Sequence, residues 1–250
     1  MYPTIDKALN FLIQKLRDFG ETERKNMKKF GFTLAEVLIT LGIIGVVAAM
    51  TLPTLFGNIQ KRQTVSRLQK VYAELKQAVK ISSDENGDPS GWDYTLTNEE
   101  FIKRYFAPYL KISVVNVDHT YTDFKGRPYK FFHSNYPTFI TMSGAFVMFY
   151  HTPSFGAHNH LLVDINGKTP PNRIGKDVFA FTFLDENLVT YTQYTSQGMI
   201  RELTKRQNLL SSATSGQCSY TAGGGIFGPG SYCSRLIEVD GWKIADDYPW

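Results

Sequence analysis

Gly31-Phe32-Thr33-Leu34-Ala35-Glu36 stands between the pair Lys28-Lys29 and a run from Val37 to Gln60 without a charged residue. Glu36 is a lone carboxylate at the edge of a membrane-length segment. A charge costs ~2.5–3.5 kcal/mol at a bilayer centre and less near an interface, so one placed there needs a reason. As a helix, the 24 uncharged residues would extend ~36 Å, enough for a hydrocarbon core of ~30 Å. A secretory signal would end in a small-residue cleavage site after the apolar stretch, and Met50-Thr51-Leu52-Pro53 matches one poorly. The apolar segment is therefore read as retained.

The order basic–Gly–Phe–three residues–Glu–apolar helix resembles the class III signal of type IV pilins and type II secretion pseudopilins. The resemblance is specific over Lys28–Phe56 and architectural beyond it. It implies that a prepilin peptidase/methyltransferase cuts between Gly31 and Phe32 and methylates Phe32. It also gives Glu36 a partner, the Phe32 amine of a neighbouring subunit, because an unpaired carboxylate in an apolar medium is costly or becomes protonated. Pro53 removes one helical hydrogen bond, and in the resembled family a Pro at this distance marks where the helix loosens during assembly. Gly42 and Gly45 permit close helix approach. The implied partners are that peptidase, other pilin or pseudopilin subunits in a homo- or hetero-filament, an inner-membrane assembly platform and the lipid bilayer.

Three segments follow. Residues 1–31 are a leader to be removed, residues 32–56 a transmembrane or filament-core helix, and residues 57–250 a head outside the cytoplasm that includes an amphipathic helix over 57–82. Two translation starts stay open, Met1 and Met27. The second gives the compact basic leader Met27-Lys28-Lys29-Phe30-Gly31 and is preferred. The formal net charge is +4, but residues 1–31 hold seven Lys/Arg against four Asp/Glu, leaving +1 for the rest. The basic excess reads as a cytoplasmic flank, and no nucleic-acid partner is expected.

Past Gln60, Val65, Leu68, Tyr72, Leu75 and Val79 recur at spacings of three and four, with charged residues on the other faces. Two heptads are short for a coiled coil, so the stripe is read as packing on a sheet. Asp84 to Pro89 should end the helix. Thr97 and Glu100 read as a capping box opening a short helix to about Leu110. Strand-like runs follow at Ile112–Val117, Thr138–Tyr150, Leu161–Ile165, Val178–Leu184, Leu188–Tyr191 and Leu236–Val239, with turns at Asn166-Gly167 and Asp185-Glu186-Asn187. The expected fold is α+β: a long, protruding N-terminal helix, apolar then amphipathic, packed on an antiparallel sheet. With the head outside the cytoplasm, Cys218 and Cys233 read as a disulfide closing a Gly-rich loop, similar to the C-terminal loop of type IV pilins and stabilising by roughly 3 kcal/mol in the chain-entropy picture.

Asp164, Asn166 and Asp177 supply oxygen atoms that suit Ca²⁺. The pattern fails as an EF-hand, since Gly167 comes fourth from Asp164 and no Glu closes the loop. It is read as a hairpin and turn in which Asp and Asn bond local amides, leaving these three as weak metal candidates only. His151, His158 and His160 have no Cys or carboxylate at a recognised zinc spacing and read as a solvated loop. Trp242, Tyr248, Pro249 and Trp250 are placed either docking the tail on the head or contacting another subunit. No nucleophile elbow, phosphate loop or metalloprotease motif occurs, so neither a catalytic site nor a cofactor is expected. The function read from the sequence is a structural subunit of a bacterial type IV pilus or type II secretion-like filament. The alternative is a head tethered by one helix that never polymerises, a binding or sensor protein.

Overall fold

The computed structural model describes residues 14, 32–114, 120–129, 136–152, 158–184, 187–191, 193–194, 200–201, 205–210, 216–221 and 228–250. The leader apart from residue 14, and so Gly31, lies outside them, as do residues 115–117 of the first strand reading and 185–186 of the second turn. The chain divides into two units, residues 1–55 and 56–250.

In the first unit, helix α1 (Leu34–Asn86) begins at Leu34 and passes through Pro53. Its apolar side chains are exposed, among them Leu38, Ile39, Ile43, Ile44 and Met50. The helix is long and apolar enough to cross a membrane. The hydroxyls of Thr51 and Thr54 donate to the carbonyls of Val47 and Thr51 at 3.0 and 2.9 Å, so these polar groups are satisfied within the helix.

In the second unit the pattern of α1 changes to one face. Val65, Leu68, Tyr72, Leu75 and Val79 are all buried, and Val71, Ala78, Ser82 and Ser83 widen the stripe. It packs against a six-stranded antiparallel sheet of order β1-β4-β5-β6-β7-β8. These strands are β1 (Ile112–Val114), β4 (Thr138–Thr141), β5 (Phe146–Thr152), β6 (His158–Asp164), β7 (Val178–Leu184) and β8 (Asn187–Thr190). The Tyr72 ring stacks on Phe181 of β7 at 5.3 Å, and its hydroxyl donates to the Leu188 carbonyl at 3.3 Å. Burial holds the Tyr72 phenol up at about 12. Two ribbons lie beside the sheet, β2 (Tyr121–Thr122) with β3 (Pro128–Tyr129) and β9 (Gln193–Tyr194) with β10 (Ile200–Arg201).

Helix α1 stops at Asn86, and the Gly87 amide donates back to the Ser83 carbonyl at 2.9 Å. Helix α2 (Asn98–Tyr105) opens with the expected Thr97–Glu100 capping box. It ends five residues before Leu110, because Pro108 lacks an amide and restricts Ala107. Trp92 joins the helices: its indole donates to the Gly87 carbonyl at 2.9 Å and its ring stacks on Tyr105 at 4.4 Å.

Two strand readings are corrected. The run Thr138–Tyr150 is two strands, because Met142-Ser143-Gly144 turns the chain and the Thr141 amide bonds the Ala145 carbonyl at 2.9 Å. Leu236–Val239 is not a strand but part of helix α4 (Cys233–Val239), which follows the short α3 (Arg206–Leu210). Cys233, Leu236 and Ile237 are buried at helical spacing, and the Ser234 hydroxyl donates to the Ala180 carbonyl at 2.6 Å while accepting the Tyr191 amide at 3.2 Å. A four-residue window was too short to separate the two periods. Long apolar helix, antiparallel sheet and Cys218–Cys233 disulfide make a pilin-like α+β fold.

The stripe of α1 carries the packing, so Leu75→Ala should lower unfolding free energy by about 2–5 kcal/mol in denaturant titration, whereas the exposed Gln77→Ala should stay within about 0.5 kcal/mol.

Candidate functional site

The residues expected to handle processing and assembly lie at the start of α1. Phe32 is exposed at 84%. Glu36 closes a capping box with Thr33: its Oε2 accepts the Thr33 amide and hydroxyl, each at 2.8 Å, and its own amide donates to Thr33 Oγ1 at 3.3 Å. Thr33 is the N-cap and Glu36 the third residue of the helix, the same Thr-x-x-Glu spacing as Thr97–Glu100. That signal was present in the sequence, but the membrane setting of Glu36 drew attention away from it. Among the described residues the donors to this carboxylate are the Thr33 amide and hydroxyl, both at Oε2. Pro53 lies 17 residues further along the same helix and outside this cluster.

The second group of expected residues falls on the connection between β6 and β7. Asp164 Oδ1 accepts the Asn166 amide at 3.2 Å. Asp177 Oδ2 accepts the Asn172 amide at 2.9 Å and the Asn166 side chain at 3.5 Å, while Oδ1 accepts the Arg173 amide. With its side-chain amide turned to satisfy both neighbours, Asn172 donates to Thr169 O at 2.8 Å and Asp164 Oδ2 at 3.1 Å. Burial pushes the Asp177 carboxyl above its usual range, with the Arg173 and Asn172 amides pulling the other way. N–H donors meet the Asp164 and Asp177 carboxylates, whereas Asn166 Oδ1 is buried without a hydrogen-bond partner among the described residues. Among the described residues no group of three or more His, Cys, Asp or Glu is placed to hold a metal ion.

This connection is wedged against the disulfide. Gly175 has φ +76°, and a Cβ there would lie 2.8 Å from both Cys233 Sγ and Phe124. Gly230 has φ +99° and meets the same Phe124 ring at 2.8 Å. Neither position accepts a side chain. Cys218 and Cys233 are both buried; residues 222–227 of the loop they close lie outside the described residues.

The last residues dock on the head. The Tyr248 hydroxyl donates to the Gly175 carbonyl, and full burial pushes its phenol well above the ordinary value. Lys176 sits 4.9 Å over the Trp250 ring, and Trp242 lies 5.6 Å from Tyr72. The Arg206 guanidinium holds Asp240 at 2.6 Å and Asp247 at 2.6 Å through a second nitrogen. That pairing keeps the Asp247 carboxyl below its usual range. For Asp123, burial opposes the charge, but the Arg127 guanidinium and the Arg127 and Lys125 amides outweigh it and lower the carboxyl.

The histidines do not form a solvated loop. His151 is in β5, His158 and His160 are in β6, and Tyr150 pairs with His160 across the hairpin. The His160 side chain is buried, 5.3 Å from the Tyr191 ring. Residues 153–157, with the breakers Pro153 and Gly156, lie outside the described residues.

With this geometry, the chain is a type IV pilin-like prepilin: residues 26–52 match the prokaryotic N-terminal methylation motif. Residues 54–250 match a family of unknown function (DUF6613), and the chain belongs to that family. No curated protein and no solved structure matches the chain.

Asp123 and Asp247 have folded pKa values depressed below the unfolded value near 3.8. Their contribution to stability is thus present above that value and lost as pH falls through the depressed ones. Thermal unfolding scanned from pH 6 to 2 should show the midpoint dropping below about pH 4, and Asp123→Asn with Asp247→Asn should flatten that drop.

Proposed function

We propose that this chain is a pilin, minor pilin or pseudopilin: a structural subunit of a bacterial type IV pilus or type II secretion-like filament. On this reading the leader ends at Gly31, Phe32 becomes the methylated N-terminus, residues 32–56 sit first in the inner membrane and then in the filament core, and residues 57–250 form the head outside the cytoplasm. Its role is that of substrate for the peptidase and building block for the filament rather than of catalyst.

The observation that carries the reading is a coincidence within one chain. The Gly31-Phe32 junction and Glu36 open a helix that is apolar and exposed through its first seven turns, and one face of the same helix then becomes the core of an α+β head. Exposed apolar side chains on every face suit lipid before assembly and neighbouring helices after it. Glu36, with Oε2 bonded to Thr33, keeps Oε1 for the cationic Phe32 terminus of an adjacent subunit. A tethered head that never polymerises would use the apolar helix as its anchor but has no use for Glu36 within it.

Mass measurement and N-terminal sequencing of the protein from its own cells should find N-methyl-Phe32 as the first residue. A mature chain that still holds residues upstream of Phe32 would overturn the reading. Glu36→Ala should leave membrane insertion intact and lower recovery in sheared filaments more than about tenfold, the scale expected for one desolvated charge pair. Unchanged recovery would remove the proposed role of Glu36.

A further inference from the structure

An open cleft of about 460 Å³ lies between α1 and the β6–β7 connection, lined by Arg67, Lys70, Val71, Ser143, Asn166 and Thr169. Its charge is positive. Arg67 and Lys70 are exposed, Lys70 reaches Glu74 only at 3.9 Å, and Glu74 also accepts the Ser143 hydroxyl at 3.0 Å. The surroundings extend that polarity. From Lys61 to Lys80 there are six Lys/Arg and one acidic residue, Glu74. From residue 81 to 102 there are six acidic residues, beginning with Asp84 and Glu85, and no basic one. The head thus has a basic region on α1 and an acidic region that begins at the end of α1 and continues to α2.

We propose that the cleft receives the acidic region of a second copy of this chain, with Asp84 and Glu85 of that copy facing Arg67 and Lys70. The proposal rests on the filament reading and specifies how copies would be spaced within it. Parallel helices with no offset would set Arg67 against Arg67 and Asp84 against Asp84, which repels at both ends. Arg67 and Glu85 are 18 residues apart in the sequence. At 3.6 residues per turn that is five whole turns, so the two share one face of α1, ~27 Å apart along its axis. An offset of that size parts both like-charged pairs and sets one attraction, Arg67 against Glu85, between the two copies. The same contact then repeats from each copy to the next, and a head-to-tail contact that does not close gives an open filament. The local partners of these acids do not stand in the way. Lys80 holds Asp84 at 2.8 Å and Tyr109 donates to Glu85 at 2.7 Å, both at exposed positions where such bonds exchange at little cost.

The test uses the full-length chain in its own cells, with sheared filaments as the readout. Membrane level and oxidation of Cys218–Cys233 serve as the folding control. Arg67→Glu with Lys70→Glu should lower recovery at least about tenfold, and adding Asp84→Lys with Glu85→Lys should restore most of it. In a separate variant, Arg67→Cys with Glu85→Cys should give a ladder of interchain disulfides in filaments, since the two sites lie too far apart to bridge within one chain. Reversal without effect, or a missing ladder in a chain that does form filaments, overturns the proposal and leaves the filament reading standing. A loss that the fourfold swap does not restore assigns the cleft to another anion, such as a lipid headgroup, and also overturns it. Wild-type protein absent from filaments would remove the filament reading and the proposal together.

Discussion

The stack of Tyr72 on Phe181 is the contact on which the head depends. It joins the stripe of α1 to β7, which lies between β6 and the edge strand β8. An aromatic pair of this kind adds about 0.5–1.5 kcal/mol beyond the area it buries. Its larger effect is geometric. With the Tyr72 hydroxyl donating to Leu188 on β8, the rotation of the helix about its own axis is set. That rotation turns Leu68, Leu75 and Val79 inward and leaves Arg67 and Lys70 on the rim of the cleft.

The same strand receives the other end of the chain. Ser234 of α4 bonds Ala180, the residue before Phe181, so two helices are tied to consecutive positions of β7. Trp242 closes the arrangement by packing near Tyr72, and Tyr248 carries the chain back to Gly175 at the disulfide. Disulfide, β6–β7 connection and tail are thus a single packed unit around Phe124 and Cys233. The disulfide limits how far the unfolded chain can expand, while the glycines at 175 and 230 let the backbone approach close enough for that packing.

Features whose causes are local could be read in the sequence. The 3–4 spacing of Val65 to Val79 and the Thr97–Glu100 box act within one or two turns and are found as read, while α1 runs past the expected end at 82 to Asn86, inside the breaker run. Features held by distant partners could not. Ser234 looks like a polar surface residue until Ala180 and Tyr191 supply its bonds. Asn159, next to the histidines, suggests a wet loop, yet it is buried because its amide reaches the Pro89 carbonyl, 70 residues away, at 3.0 Å. The Asp164–Asp177 connection was legible as a turn, but its contact with the disulfide depends on Phe124, which no local pattern marks. Thr33 is the instructive exception. Its signal is local and identical in kind to that of Thr97, but the residue three positions on carries a second signal as well, a lone carboxylate at the edge of an apolar run.

The two explanations of Glu36 are compatible, and their combination bears on how a charge survives at this position. A carboxylate in an apolar setting must have donors in every state it passes through, or it takes up a proton. Before assembly there is no neighbouring terminus to pair with it. Thr33 supplies an amide and a hydroxyl to Oε2 from within the same turn, which also satisfies an amide that the start of a helix leaves open. On the proposed assembly route, the neighbour's Phe32 amine adds a cation at Oε1 without displacing either bond. Ion pairing then strengthens an acceptor that is already oriented, so less side-chain freedom is lost when the pair forms. On that proposed route, a Thr at position 33 is part of the same device as the carboxylate three residues on, holding the charge oriented for the neighbour's terminus.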